Sequence, residues 1–353
     1  LVVLVHASFV AFASFAATVD MFFVVSGFLI TTLLLEEDRR SGRVDLKHFY
    51  SRRVLRLFPL MYTVLVLTLL AFLAVHLVFD ERELLDKAIS DVLAGGTYMY
   101  HVVHPVHHEL VGGGPAPIRP LLQLWSLTVE EHFYLFGVPV VILVVKRRWV
   151  TPIMVLFGTA WVAIGMARLF GHVGPWFAWY QRPDALLLGV VLAFVNARMP
   201  ATWSPGVEVW WRRAATVAVI VCSVVVATGM FIAKPLGLYV PFLVPEGGSL
   251  HDGLYWGEYG FTLVSGCVAV MVLTFVRCPD HWAARILSFR LFTFMGVRSY
   301  AIYLIHVPLG VFLVETVGRK SEGLALLLYL PLLALTTEMA HRLVEKPAMR
   351  LKT

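Results

Sequence analysis

Long apolar stretches dominate the hydrophobic pattern of this chain. A helix that crosses a membrane needs about 20 apolar residues to span roughly 30 Å of hydrocarbon. By that measure the sequence predicts about ten spans, so we expect an all-α, polytopic membrane helix bundle. The predicted spans lie near residues 1–15, 19–35, 56–79, 124–145, 150–170, 183–197, 214–233, 254–276, 292–314 and 322–344.

The composition agrees with this pattern. Of 353 residues, 59% are hydrophobic and 15% are charged, and the mean hydropathy is +0.79. Soluble domains are about 45–50% apolar and about 25% charged. These values exclude a soluble globular protein, a disordered chain and a nucleic-acid binder, despite the net charge of +6. We expect one membrane domain over residues 1–353, with the lipid bilayer as its surroundings.

The basic residues set the predicted orientation. Most of the 29 Lys and Arg residues fall on one side when the start of the first span is placed in the cytoplasm. The positive-inside rule then predicts that both termini are cytoplasmic. The main outer loop is predicted at about 80–124. The chain opens at Leu1 inside an apolar run, which predicts a first span clipped at its N-terminus.

Ionisable groups at membrane depth are candidates for function because they are costly in lipid. His6 lies in the middle of the first span and is suited to act as a general base, or it is a core histidine bonded to a neighbouring helix. Asp20 opens the second span, where it either complements the helix dipole or orients an imidazole. Ser26, beside Gly27, is a further candidate, although small residues at this position also suit close helix packing.

Three arginines stand where the third span begins. Arg52, Arg53 and Arg56 occur in HFYSRRVLRLFP. Arg53 and Arg56 are three residues apart and so share a helical face. These arginines either follow the positive-inside rule and contact lipid headgroups, or form a clamp for a phosphorylated ligand that arrives from the cytoplasm.

A second polar segment, WSLTVEEHFY, begins the fourth span. Glu130 and Glu131 are adjacent, so they are expected on different faces, with one able to face the bundle interior. Trp125 and Ser126 are candidate site residues, although Trp125 also suits an interfacial aromatic belt. Arg182, before the sixth span, is another candidate and can pair with Asp184.

The ninth span contains SYAIYLIHVP. His306 is expected deep in this span, with Tyr303 on the same face. Pro308 is expected to kink the helix and to free backbone carbonyls. Both His306 and Tyr303 are candidate site residues.

No metal is expected. The histidine-rich run HVVHPVHHE is interpreted as an ordinary polar loop, because Pro105 interrupts the helix that metal-ligand spacing would need. The three cysteines show no metal spacing and are interpreted as packing residues.

Taken in order, these segments resemble the acyltransferase-3 family of integral-membrane O-acyltransferases. The resemblance covers nearly the whole chain. It rests on a histidine in the first span and on VDMFFVVSGFLIT (19–31), FYSRRVLRLFP (49–59), WSLTVEEHFY (125–134), RPDALLLGVVLA (182–193), SYAIYLIHVPL (299–309) and EKPAMR (345–350).

The resemblance implies transfer of an acyl group, with acetyl as the default, from cytoplasmic acyl-CoA. The expected acceptor is a hydroxyl of a glycan, a glycolipid or another envelope or secreted molecule. His6 would be the catalytic histidine and act as general base, with Asp20 or Glu130 orienting it. Arg53 and Arg56, with Arg52, would bind the donor. The expected location is a bacterial-type plasma (inner) membrane, crossed many times.

The chain departs from the family pattern at one visible position, where Thr18 replaces a glycine usually found before Val-Asp. The family also carries an arginine eleven positions before the histidine that corresponds to His6, and that position would lie upstream of Leu1. The end of the chain soon after the tenth span predicts a stand-alone form without a C-terminal hydrolase-like domain.

Two other functions suit the same composition. A transporter or flippase of an acyl or glycan intermediate also carries intramembrane charges, but the paired broken helices of many transporters are not evident. A non-catalytic membrane scaffold would have little reason to keep His6, the arginine pair and the Trp-Ser-Leu segment together.

Overall fold

The structure is a computed structural model that describes residues 18–104, 119–170, 184–228 and 255–351. In these ranges the chain is built from helices. They are α1 Thr18–Ser41, α2 Leu46–Phe79, α3 Arg82–Gly96, α4 Tyr100–Val103, α5 Leu124–His132, α6 Val138–Lys146, α7 Val150–Leu169, α8 Asp184–Arg198, α9 Pro205–Thr228, α10 Tyr255–Arg277, α11 Trp282–Leu287, α12 Arg290–Val297, α13 Ser299–Leu313, α14 Glu322–Ala340 and α15 Lys346–Arg350. Single π-helical turns follow α5, α13 and α14 at Phe133–Gly137, Val314–Gly318 and His341–Glu345.

Seven of the described helical segments are long and apolar enough to cross a membrane. They are Thr18–Ser41, Leu46–Phe79, Leu124–Lys146, Val150–Leu169, Gly260–Arg277, Ser299–Gly318 and Gly323–Arg350. The predicted polytopic helix bundle is therefore confirmed. Helices α8 and α9 occupy the sixth and seventh predicted spans, and the first predicted span lies outside the described residues.

The chain forms two compact units. Among the described residues, unit one comprises those within 18–44 and 132–289, and unit two comprises those within 45–131 and 290–351. Each unit therefore combines segments that are distant in sequence.

In unit one, α1 and α8 cross at a pair of glycines. A Cβ on Gly27 would lie 2.3 Å from the carbonyl oxygen of Leu186, and one on Gly189 would lie 2.3 Å from that of Val24. Carbon and oxygen atoms cannot approach so closely, so only glycine permits this crossing. Small residues allow the same close approach between helices in membranes generally. The packing interpretation of the Ser26–Gly27 pair is confirmed for Gly27.

The carboxyl end of α8 is capped by an arginine from α10. Arg277 Nε donates to the side-chain oxygen of Asn196 at 2.7 Å and Nη2 donates to its carbonyl oxygen at 2.8 Å. Nη1 donates to the carbonyl of Pro200 at 2.6 Å. The last carbonyls of a helix lack intrahelical donors, and the Arg277 guanidinium provides donors at this helix end.

In unit two, α2 is a single helix of 34 residues that contains Pro59. Asp45 caps its amino end, where the carboxylate accepts a hydrogen bond from the His48 amide at 3.0 Å. Its carboxyl end stops at Asp80, which adopts the left-handed conformation with φ of 59°. At 1.5 Å per residue, α2 is about 50 Å long.

Helix α3 turns back along α2 instead of remaining at its end. The hydroxyl of Tyr62 donates to the carbonyl of Gly96 at 2.9 Å. A Cβ on Gly95 would lie 2.4 Å from Leu124 Cδ1 and 3.5 Å from Leu65 Cδ2. At a rise of about 1.5 Å per residue, Tyr62 lies about 25 Å from the carboxyl end of α2. The end of α3 is therefore re-entrant: it lies beside the interior part of the predicted span 56–79 and not at the end of that span.

This return differs from the outer loop predicted at about 80–124. The segment DERELLDKAISD is rich in charge, but α3 is amphipathic, and its buried residues recur every three to four positions. They are Leu84, Leu85, Ala88, Asp91, Ala94 and Gly95.

Candidate active site

A partly buried group of three charges lies where α2 meets α5 in unit two. Arg53 Nη2 lies 3.7 Å from Glu130 Oε1, and Arg53 Nε lies 3.5 Å from Glu131 Oε1. The side chains of Arg53, Glu130 and Glu131 are 19%, 23% and 15% exposed. The two adjacent glutamates are expected on different faces of α5, with one able to face the bundle interior, and the structure brings both carboxylates to Arg53. Their side chains are long enough for both carboxylates to contact the same guanidinium.

The two arginines of the R-x-x-R motif differ in their surroundings. Arg53 contacts both carboxylates, whereas Arg56 is exposed and Arg52 is half-buried. The spacing leaves two interpretations of these arginines, contact with lipid headgroups or a clamp for a phosphorylated ligand. In the structure, Arg53 belongs to an ion-pair group and Arg56 is exposed.

Tyr98 has an unusual backbone conformation at the end of α3. Its φ is 55°, in the left-handed region that glycine usually occupies at this position of a helix end. The Met99 amide donates to Ala94 O at 2.8 Å, and the Tyr98 amide donates to Gly95 O at 3.0 Å. These two bonds define a Schellman motif. A bulky side chain in this conformation costs about 1–3 kcal/mol, and such strain is concentrated at functional sites.

The ring of Tyr98 packs against Phe58 of α2. Its ring centroid is 5.6 Å from that of Phe58. Its hydroxyl is buried and has no hydrogen-bond partner among the described residues. A phenol hydroxyl can donate a hydrogen bond.

Two predicted site residues, Ser126 and Tyr303, are directly bonded. Their hydroxyl oxygens are 2.5 Å apart. The Tyr303 hydroxyl also donates to the backbone carbonyl of Gln123. A carbonyl can only accept, so the Tyr303 proton points to Gln123 and the Ser126 hydroxyl donates to Tyr303. Trp125, next to Ser126, is 6% exposed, so its ring lies in the protein interior rather than in an exposed belt.

His306 is buried at 1% exposure, and its tautomer follows from its backbone contact. Nδ1 lies 2.7 Å from the carbonyl oxygen of Tyr303. The nitrogen must donate to this carbonyl, so Nδ1 carries a proton and Nε2 is the basic nitrogen of the neutral ring. The Tyr329 hydroxyl donates to the His306 carbonyl at 3.0 Å and ties α14 to α13. The prediction that His306 and Tyr303 share a face is confirmed, with ring centroids 5.6 Å apart.

Asp20 and Ser26 lie in unit one. Asp20 is 1% exposed in the first turn of α1, and Ser26 is half-buried. A buried ion pair also belongs to this unit: Arg168 Nη1 and Nη2 donate to the two Asp184 oxygens at 2.7 and 2.8 Å. Asp184 is therefore paired with Arg168, where the sequence suggested Arg182. The Asp20 charge acts on the same guanidinium. Both carboxylates begin helices, so two helix dipoles help to balance them.

A second buried carboxylate orders the re-entrant segment. Asp91 is fully buried, and its Oδ1 accepts from Arg119 Nε at 2.7 Å and from the Tyr100 hydroxyl at 3.1 Å. Its Oδ2 accepts from the Leu121 amide at 3.1 Å. Arg119 Nη2 also lies 3.0 Å from His104 Nε2. Asp91 thus joins α3 to the residues that precede α5.

Two predicted site residues, His6 and Arg182, lie outside the described residues, as does most of the histidine-rich run. Across the described ranges, no group of three or more His, Cys, Asp or Glu side chains could hold a metal ion.

Sequence reasoning missed several residues that the structure places at these sites. Glu131 was passed over for its neighbour Glu130, although nothing in the sequence separates them. Arg168 belongs to no motif in the sequence. Tyr98 carries no motif, and only the preceding Gly-Gly hints at a helix end. Asp91 stands in a charged stretch in which no sequence pattern separates it from the other charges.

Comparison with known proteins agrees with the sequence motifs. Residues 1–337 match the family model described as an acyltransferase domain. The chain belongs to this acyltransferase family. It is 28% identical over 337 residues to the O-acetyltransferase OatA of Staphylococcus aureus strain NCTC 8325, covering 93% of this chain and 52% of that protein. The same identity and coverage hold for OatA of strain COL. No solved structure matches the chain.

The relatives are longer than this chain. The chain spans about half the length of the curated relatives it matches. What the family match gives directly is a multi-pass membrane protein with an acyltransferase domain.

Proposed function

We propose that this chain is a membrane O-acyltransferase that moves an acetyl group from cytoplasmic acetyl-CoA to a hydroxyl of a glycan, glycolipid or other envelope or secreted acceptor. The observation that carries the proposal is the polar interior of unit two. Arg53, Glu130 and Glu131 form an ion-pair group beside the exposed Arg56. A bundle that only anchored or scaffolded would gain nothing from these charges, because charged groups in membrane proteins are costly.

The donor is anionic, and the arginines suit its phosphates. Guanidinium groups bind phosphate oxygens through paired hydrogen bonds. Arg56, which is exposed, and Arg52 are the proposed phosphate ligands. Arg53 is proposed to keep Glu130 and Glu131 in place while it contributes positive charge. The proposed cellular site is the bacterial-type plasma membrane, with the donor on the arginine-rich side.

The proposed chemistry is direct transfer. His6 accepts the proton of the acceptor hydroxyl as that oxygen attacks the thioester carbonyl. The new C–O ester bond forms, the C–S bond breaks, and the coenzyme A thiolate leaves and takes up a proton. Asp20 is proposed to orient His6, in keeping with its buried position at the start of α1. Glu130, the other candidate for that role, is instead proposed to act through Arg53.

The test uses the whole chain in detergent or nanodiscs with acetyl-CoA labelled in the acetyl group. Wild-type protein is expected to release coenzyme A in the presence of a hydroxylated acceptor, and His6→Ala is expected to release none while unfolding at the same temperature. Equal release by the variant would refute the role of His6. Label that remained on the protein would favour a covalent route. Label that crossed a vesicle membrane without transfer would favour the transporter alternative.

A further inference from the structure

Helix α12 in unit two carries apolar side chains that no other part of the described chain covers. None of its eight residues is buried, and each of them is exposed. Leu291 is 65% exposed and Phe294 is 51% exposed. A Cβ on Gly296 would meet no atom within 4 Å. Apolar side chains grouped at a protein surface mark a contact with a partner or with a membrane.

The apolar residues of α12 are concentrated on one face. At about 100° per residue, four apolar side chains fall within an arc of about 160°. They are Leu291, Phe292, Phe294 and Met295. The remaining arc carries Arg290, Thr293 and Gly296, together with Val297. This separation is typical of a helix that lies along the boundary between an apolar and a polar medium.

Helix α12 is not needed to cross the membrane. The sequence predicts a ninth span near 292–314, but the helix is interrupted at Arg298, where φ is −101° and ψ is 2°. The spanning segment that follows, Ser299–Gly318, has 20 residues, which is enough to cross about 30 Å of hydrocarbon. Because this span is complete without α12, α12 is left at the level of the membrane surface where the span begins.

Arg298 sets the direction in which the apolar face of α12 points. Its Cζ lies 3.6 Å from the centroid of the Phe294 ring. Nε of the same guanidinium donates to Glu338 Oε2 at 2.5 Å, and Glu338 lies in the spanning segment Gly323–Arg350. The side of α12 that carries Phe294 is therefore turned towards the membrane-spanning helices, and the opposite side, with Thr293, is turned away from them.

We propose that α12 is an interfacial helix whose apolar face is covered by lipid acyl chains, with Arg290 at the level of the lipid headgroups. A guanidinium group binds phosphate oxygens, so a basic residue beside an apolar face suits the surface of an anionic membrane. The helix then fixes the depth of α13, in which Tyr303 and His306 lie about 6 Å and about 10 Å beyond Ser299 along the helix axis. The inference does not depend on the proposed transferase activity.

The test measures the depth of single residues by spin labelling of the whole chain in vesicles of phosphatidylethanolamine and phosphatidylglycerol. The cysteines Cys222, Cys267 and Cys278 are buried, so wild-type protein treated with the label is the blank. Oxygen concentrates in hydrocarbon and a nickel chelate stays in water, so the ratio of their effects on the relaxation of the label reports its depth. Leu291→Cys and Met295→Cys place the label on the apolar face.

Thr293→Cys and Gly296→Cys are the matched controls, because they place the same label on the opposite face of the same helix. All four positions are exposed, so each labelled protein is expected to keep the melting temperature of wild type.

The expected result alternates with the face of the helix. The oxygen-to-nickel ratio should be at least about fivefold higher at Leu291 and Met295 than at Thr293 and Gly296, because an interfacial helix buries its apolar face by about 5–10 Å. A label at Arg290→Cys is expected to give a ratio between those of the two faces. A ratio outside that range removes Arg290 from the headgroup level.

Three other outcomes overturn the proposal. A ratio that rises steadily from Leu291 to Gly296 without regard to face would show that α12 continues the span. A low ratio at all four positions would place α12 in water. If neither reagent reaches Leu291 and Met295, the apolar face is covered by protein, either a second copy or another segment of this chain, and not by lipid.

Discussion

The side-chain amide of Gln123 donates a hydrogen bond of 2.9 Å to the backbone carbonyl of Leu304. Leu304 lies four residues before Pro308 in α13, and proline has no N–H to give to that carbonyl. Gln123 therefore supplies the donor that the helix lacks. The backbone of the same residue accepts from the Tyr303 hydroxyl, so Gln123 connects the start of α5 to α13 at two points.

This relationship predicts a coupling between Gln123 and Pro308. Gln123→Leu should lower the free energy of unfolding by about 1–3 kcal/mol, because the Leu304 carbonyl is left buried without a donor. In a Pro308→Ala background the helix supplies its own N–H, so the same change should cost much less. Thermal unfolding of the four proteins in one detergent measures the difference. Equal costs in the two backgrounds would show that Gln123 acts through some other contact.

The glycine crossing of α1 and α8 predicts that unit one cannot accept a larger residue there. Gly27→Ala and Gly189→Ala each place a Cβ 2.3 Å from a backbone carbonyl oxygen of the other helix. Each should destabilise the protein by about 1–3 kcal/mol or more, because the helices must move apart. Gly158→Ala on α7 is the matched control, since its Cβ would meet no atom within 4 Å. Its melting temperature should not fall.

The hydrogen bonds of Asp91 predict that replacing it with the uncharged asparagine of similar shape destabilises the protein. In Asp91→Asn, one orientation of the amide turns its N–H groups towards the Leu121 amide, and the other turns them towards Arg119 and Tyr100. Either way donors face donors, and the expected loss is about 1–3 kcal/mol of unfolding free energy. Asp86→Asn on the same helix is the control, because Asp86 is 58% exposed and pairs only with Arg82. That variant should change stability by less than about 0.5 kcal/mol. Similar losses in both would contradict the network.

The contrast between Arg53 and Arg56 predicts two separable phenotypes. Arg56→Gln should raise the KM for acetyl-CoA by about tenfold, with kcat and the melting temperature nearly unchanged, because only an exposed phosphate contact is lost. Arg53→Gln should also lower the melting temperature, since two partly buried carboxylates lose their shared counter-charge. Steady-state kinetics and thermal unfolding on the same samples test both. A fall in melting temperature for Arg56→Gln alone would reverse these roles.

Much of the helical framework could be predicted from the sequence. Length and hydropathy, which are local properties, locate the spans, and the described helices overlap the predicted spans, although α2 and α9 begin about ten residues earlier than predicted. The predicted freeing of backbone carbonyls at Pro308 is likewise a local consequence of a missing N–H. The placement of Asp20 in the first turn of a helix follows from the same kind of rule.

The partners of the polar residues could not be predicted in this way. Helical periodicity indicates which face a residue occupies, but not which helix packs against it. Gln123 and Leu304 are 181 positions apart, and Arg53 meets glutamates of another helix. Helix α3 packs back along α2 through an amphipathic face, which a search for long apolar stretches does not detect. Tyr98 has its strained conformation because it lies where that helix ends. The sequence by itself determined which segments are helical and which of their positions carry charged side chains. The packing of helices distant in sequence decided which charges meet, because that depends on close contacts no local pattern encodes.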